Sequence, residues 1–96
     1  MKEVDENFYK RADEHIRLSN EQINDEVTLG KVSSSNMFAT ARFNAWVSAS
    51  GWNNSDEMAK NKEETLEYFV TQYKKMLEEN LDDYIENFDS YMKPPA

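Results

Sequence analysis

The sequence predicts an all-α fold: three helices packed as a bundle with the middle helix central, or four helices if the last one breaks near Asn80. Three observations carry this expectation. Glycine occurs only at 30 and 51 and proline only at 94 and 95, so three long intervals lack the residues that most readily interrupt a helix. Apolar residues recur at helical spacing in each interval. The middle interval is apolar on two sides, which asks for neighbours on both.

The first helix is expected over about residues 4–28. Phe8, Tyr9, Ala12, Ile16, Ser19, Ile23 and Val27 fall within an arc of about 100°, and Lys10, Asp13, Glu14, Arg17 and Glu21 lie opposite. Gly30 is the expected stop, because glycine accepts the left-handed conformation that closes a helix.

The second helix is expected over 33–50. Ser33 is the expected N-cap, Val32 and Met37 occupy the two positions of a hydrophobic staple, and Gly51 ends the run. Met37, Phe38, Ala41, Ala45 and Ala49 form a mostly small stripe. Ala39, Phe43, Trp46 and Val47 form a bulky one roughly opposite, and Arg42 is the only charge between Ser33 and Trp52.

The third helix is expected over 56–92, capped by Ser55, with Asp56 and Glu57 in the first turn where the helix dipole favours negative charge. From Leu66 through Tyr73, Leu77, Leu81, Tyr84 and Phe88 to Met92 the apolar positions keep one helical phase over about half the circumference. A straight helix of that length spans about 55 Å, far more than the roughly 12 Å radius of gyration of a domain this size. Either it breaks near Asn80, with Asp82 and Asp83 in a new first turn, or it kinks, or it overhangs onto a second protomer.

At 96 residues the chain is expected to be one helical domain, 1–96, with a flexible tail at 93–96. Cysteine is absent, which excludes disulfides, thiolate metal sites and thiol nucleophiles. No segment has signal-peptide character or the length of a membrane span, so a cytoplasmic protein with no membrane association is expected. The net charge is −8, and residues 63–92 alone carry −7. Such acidity argues against nucleic acid as a ligand, since phosphate backbones are bound by Lys and Arg; it suits a basic partner, divalent cations, or solubility alone.

The segments GKVSSSNMFATARFNAWVSAS (30–50) and YFVTQYKKMLEENLDDYIENFDSYM (68–92) resemble a family of short bacterial helical proteins catalogued only as a domain of unknown function. The resemblance runs from about residue 6 to 92, and Ala-Arg-Phe-Asn-Ala (41–45) and Glu-Asn-Leu-Asp-Asp-Tyr-Ile (79–85) are its most specific parts. It implies a small helical protein and brings no activity, ligand or catalytic residue with it.

Among individual residues Arg42 stands out. A guanidinium on the edge of a covered helix needs carboxylates or aromatic faces. Asp82, Asp83 and Glu86 are the expected ionic partners, and Trp46, one turn on, is in reach of a cation-π contact worth about 0.5 to 2 kcal/mol. A structural ion pair between helices is the preferred reading; an anion or carboxylate held by Arg42, and simple surface exposure, are the alternatives. His15 has no second imidazole with which to build a metal site. The acids of 78–89 read as a solvated face, because they lack the glycine-turned loop of a calcium site. Trp52 in a short connection, Tyr68 on the polar side of the third helix and Leu18 off the apolar face of the first are candidate partner contacts.

No nucleophile, metal set or glycine-rich phosphate loop is recognisable, so an enzyme is not indicated and no cofactor is called for. The sequence favours a small acidic module for protein–protein interaction, acting on a protein partner, basic or otherwise, or as a homodimer. The alternatives are a small-molecule-binding or catalytic pocket near Arg42 and Trp46, and an acidic mimic of nucleic acid.

Overall fold

The computed structural model describes residues 5–93. It is all-helical, with five helices among the described residues: α1 (Phe8–Glu21), α2 (Leu29–Ala49), α3 (Ser55–Lys60), α4 (Lys62–Glu86) and α5 (Phe88–Met92). The chain falls into two units, residues 1–47 and 48–96.

In the first unit, Asp5 organises the approach to α1. Its carboxylate accepts from the Asn7 amide at 2.8 Å and from the Arg11 guanidinium at 3.1 Å, and Arg11 holds it below the usual carboxylate range. The expected start of this helix at Val4 lies outside the described residues. Helix α1 ends at Glu21, seven residues before the expected limit. The terminator is Asn24: its side-chain oxygen accepts from the amides of Glu26 at 2.8 Å and Val27 at 2.9 Å, a local turn that competes with helix.

Helix α2 begins earlier than expected, at Leu29, so Gly30 lies inside a helix and Ser33 is not a cap. Thr28 takes the capping role, with its hydroxyl accepting from the Lys31 amide at 3.4 Å and its carbonyl from the Val32 amide. Val27 and Val32 then hold the two staple positions that the sequence pattern assigned to Val32 and Met37. The motif is the expected one, five residues upstream. Val32, 5% exposed, is the buried apolar residue of this unit, and Asn36 ties α2 to α1 by donating to the Ser19 hydroxyl at 2.8 Å.

The two-sided apolar pattern of α2 led to the expectation of a covered, central helix. Instead Phe43 and Trp46 are 62% and 65% exposed, and Val47 and Phe38 are exposed as well. The pattern reports that cover is needed without saying what supplies it.

In the second unit Trp52 is half-buried and its indole N–H donates to the Ser48 hydroxyl at 3.4 Å. Asn54, one residue before the expected Ser55, caps α3 by accepting from the Glu57 amide at 2.9 Å; Glu57 accepts from the Asn53 amide in return. Asn61 separates α3 from α4. Its amide turns back to Met58 in a tight 3₁₀-like bond, and its side chain donates at 2.9 Å to the Glu57 carbonyl that a continuing helix would have used.

Helix α4 runs through Asn80 without a break. The Asn80 side chain bonds to the Met76 carbonyl at 2.8 Å, but the helix is kept on both sides. The interruption comes two turns later, at Asn87, whose side chain donates to the carbonyl and carboxylate of Asp83 at 3.1 and 2.9 Å. The expected single helix over 56–92 is thus three segments, hinged at Asn61 and Asn87.

Candidate functional site

Across α4 and α5 the apolar residues from Leu66 to Met92 are 41 to 72% exposed, with Ile85 the most open; Phe69 is half-buried. They are ordered. Leu66, Leu77 and Phe88 are eleven residues apart, as are Val70, Leu81 and Met92, and Tyr73 and Tyr84. Eleven residues make three turns of about 3.67 residues each, so within α4 the rows Leu66–Leu77, Val70–Leu81 and Tyr73–Tyr84 run nearly parallel to the axis and form a straight seam up to the break at Asn87.

The seam's far end is stitched at the α4–α5 corner. The Tyr91 hydroxyl donates to both carboxylate oxygens of Asp83 at 3.2 and 3.1 Å, which raises the Tyr91 pKa above its ordinary value, since losing the proton would set a phenolate against a carboxylate. The rings of Tyr84 and Tyr91 pack at 4.9 Å between centroids, and Lys93 sits 5.8 Å over the Phe88 ring. The corner packs Tyr91 against the end of α4, beyond the break at Asn87.

Charge along α4 is lopsided. Residues 62–75 contain Lys62, Lys74 and Lys75 against Glu63, Glu64 and Glu67, while residues 76–89 contain six acids and no base. The last turn of α4 carries no cation to offset the helix dipole. Among the described residues Lys62, Lys74 and Lys75 form no ion pair.

The residues singled out from sequence are distributed between the units. Arg42 and Trp46 belong to the first, and Asp82, Asp83 and Glu86 to the second. Arg42 is exposed and has no ion-pair partner among the described residues; Trp46 meets Phe43 at 5.8 Å between centroids. Asp83 serves the corner, while Asp82 and Glu86 face solvent. Leu18 is exposed in the first unit; in the second, Tyr68 is exposed and packs edge-on against Phe69 at 5.1 Å. An open depression where α1 gives way to α2, lined by Gln22, Val27, Thr28, Lys31, Val32 and Ser35 among others, includes neither Arg42 nor Trp46. Among the described residues no group of three or more acidic or histidine side chains is arranged to hold a metal ion, and no helix is long and apolar enough to cross a membrane.

Sequence reasoning named the apolar arc but not the Asp83–Asn87–Tyr91 corner that extends it. The available signal was the spacing: Asn87 and Tyr91 lie four and eight residues beyond Asp83, on one helical face.

Comparison with known proteins agrees with an unassigned helical family. The chain is similar to a protein from Shewanella sp., NB7890A, whose structure was determined by NMR: the two are 41% identical, the match covers 99% of this chain and 100% of that one, and the TM-score is 0.78. No curated protein matches the chain. Residues 8–85 match the family described as protein of unknown function (DUF3144), and the chain belongs to that family.

Proposed function

We propose that this protein is a helical interaction module that acts by presenting the α4–α5 seam to another protein chain. The observation behind this is the seam itself: eleven apolar side chains, from Leu66 to Met92, left 41 to 72% exposed along α4 and α5. Contiguous apolar surface of that extent marks an interaction site in a soluble protein. Val32 is the only buried hydrophobic residue among the described ones, and so small a core does not offset the entropy of ordering the chain, about 1 to 2 kcal/mol per residue. Association supplies the missing burial. The acids on 76–89 keep the open face soluble and favour partners without a matching negative charge.

The test is Leu77→Glu, compared with Glu64→Gln on the polar side of α4. Leu77→Glu is expected to lose both the assembled mass seen by light scattering and the helical circular dichroism at the same protein concentrations, while Glu64→Gln changes neither. A Leu77→Glu protein with the parent's mass and helicity would remove the seam from the function.

A further inference from the structure

We infer that the chain covering the seam is a second copy of this one, paired antiparallel along α4 with the two-fold axis near Met76. This rests on the reading of the seam as a docking face and specifies its occupant.

Area is the first argument. An aromatic side chain offers about 150 to 250 Å², and the seam's eleven aromatic and aliphatic residues are each about half exposed. An axis near Met76 overlays residues 66–86 of the two copies, and the eight seam residues in that span bring roughly 700 Å² of apolar surface per copy, against about 800 Å² per partner in a standard stable interface. The face is also straight, and a straight apolar face is self-complementary under a two-fold rotation, which makes the same patch serve on both copies.

Charge selects the direction. In a parallel pair the acidic halves would run side by side, setting Glu78 at one edge of the seam near the partner's Asp83 at the other, with helix axes about 8 to 10 Å apart. That is about one Debye length at physiological salt, so the repulsion is not screened away. In an antiparallel pair each acidic half lies along residues 62–75, whose three lysines balance three glutamates. Lys74 and Glu78 sit on one flank of the seam, a turn apart, and an antiparallel two-fold axis brings that flank against itself. With the axis near Met76, Lys74 meets the partner's Glu78, and Glu78 meets the partner's Lys74. Among the described residues Lys74 has no ion pair.

The chain contains no cysteine, so single nitroxide labels are introduced through Glu64→Cys and Lys75→Cys, both off the seam, and label-to-label distances are read by pulsed dipolar spectroscopy. At 1.5 Å per residue the antiparallel pair separates the two Glu64 positions by about 36 Å along the axis and the two Lys75 positions by about 3 Å. A long distance at 64 with a short one at 75 is the expected result. Similar distances at both sites would mean a parallel pair and overturn the inference while leaving the seam a docking face; absence of dipolar coupling in a folded sample would overturn self-pairing. Lys74→Glu is expected to weaken the dimer several-fold, and Lys74→Glu with Glu78→Lys to restore it; failure of the double variant to restore it would overturn the placement of the axis.

Discussion

Leu81→Ala separates a side chain waiting for a partner from one in the chain's own core. Leu81 is 54% exposed. Fully burying a leucine is worth about 1.5 to 3 kcal/mol, so covering the open half contributes about 0.8 to 1.6 kcal/mol per copy. Alanine keeps about a third of that, and two copies each lose the rest: roughly 1 to 2 kcal/mol per dimer, or about 5- to 30-fold in dissociation constant. Sedimentation equilibrium over a dilution series reads the constant directly. At fixed concentration the melting temperature should fall by about 2 to 8 °C, taking about 2 to 4 °C per kcal/mol for some 190 residues folding together. Were Leu81 in a core of the single chain, the cost would be about 2 to 5 kcal/mol per chain, and the melting temperature would fall equally at every concentration. That result, or an unchanged dissociation constant, would refute the reasoning.

Three other outcomes follow from local structure. Val32→Ala removes two buried methyl groups, at about 0.8 kcal/mol each, and should cost about 2 kcal/mol in urea denaturation; a cost below about 0.5 kcal/mol would contradict its burial at the start of α2. Asn54→Ala removes the cap on α3, worth about 1 kcal/mol, so the Glu57 amide should exchange with deuterium about 5-fold faster, and an unchanged rate would mean the bond is not made in solution. The Tyr91 pKa is raised in the folded chain by its bond to Asp83, so the bond's contribution is fully present below the ordinary tyrosine value of about 10 and is lost as pH rises through the raised one. Phenolate absorbance should therefore show a late step that Tyr91→Phe abolishes, with helix loss above pH 10 in the parent; an identical alkaline profile apart from one ordinary tyrosine would count against the corner.

Much of the fold was legible, because the signals that set helices are local. The scarcity of glycine and proline announced an all-helical chain, and the unbroken phase from Leu66 to Met92 announced the seam. Boundaries were legible in kind but displaced. Gly30 reads as a helix stop, whereas the Asn24 side chain closes one six residues earlier and Thr28 opens the next, so the glycine sits in the first turn of α2. The break expected at Asn80 does not occur there: Asn61, Asn80 and Asn87 all bond back to the carbonyl four residues before, and only Asn61 and Asn87 break the run. At Asn61 the side chain replaces its own backbone N–H, and at Asn87 it is held by Asp83 as well; such choices depend on neighbours that periodicity does not encode.

What periodicity cannot encode at all is who covers an apolar face. Phe43 and Trp46 on α2 and Leu81 and Ile85 on α4 carry a core-like pattern and are exposed in the single chain. The same residues would look identical in sequence whether the cover came from the next helix or from another molecule. The arginine expected to pair between helices poses the same problem: Arg42 has the chemistry of a buried ion pair and an exposed position.

The central claim is that folding and association are a single equilibrium, because one chain does not bury enough to hold its helices. Circular dichroism melts over a 100-fold dilution series, with mass measured on the same samples, test it most directly. A 100-fold dilution changes the stability of a folding dimer by about 2.7 kcal/mol, which is about 5 to 10 °C in melting temperature at 2 to 4 °C per kcal/mol. That fall is expected, with a mass of twice 11.3 kDa disappearing as helicity is lost. A melting temperature independent of concentration, with a mass of 11.3 kDa throughout, would contradict it.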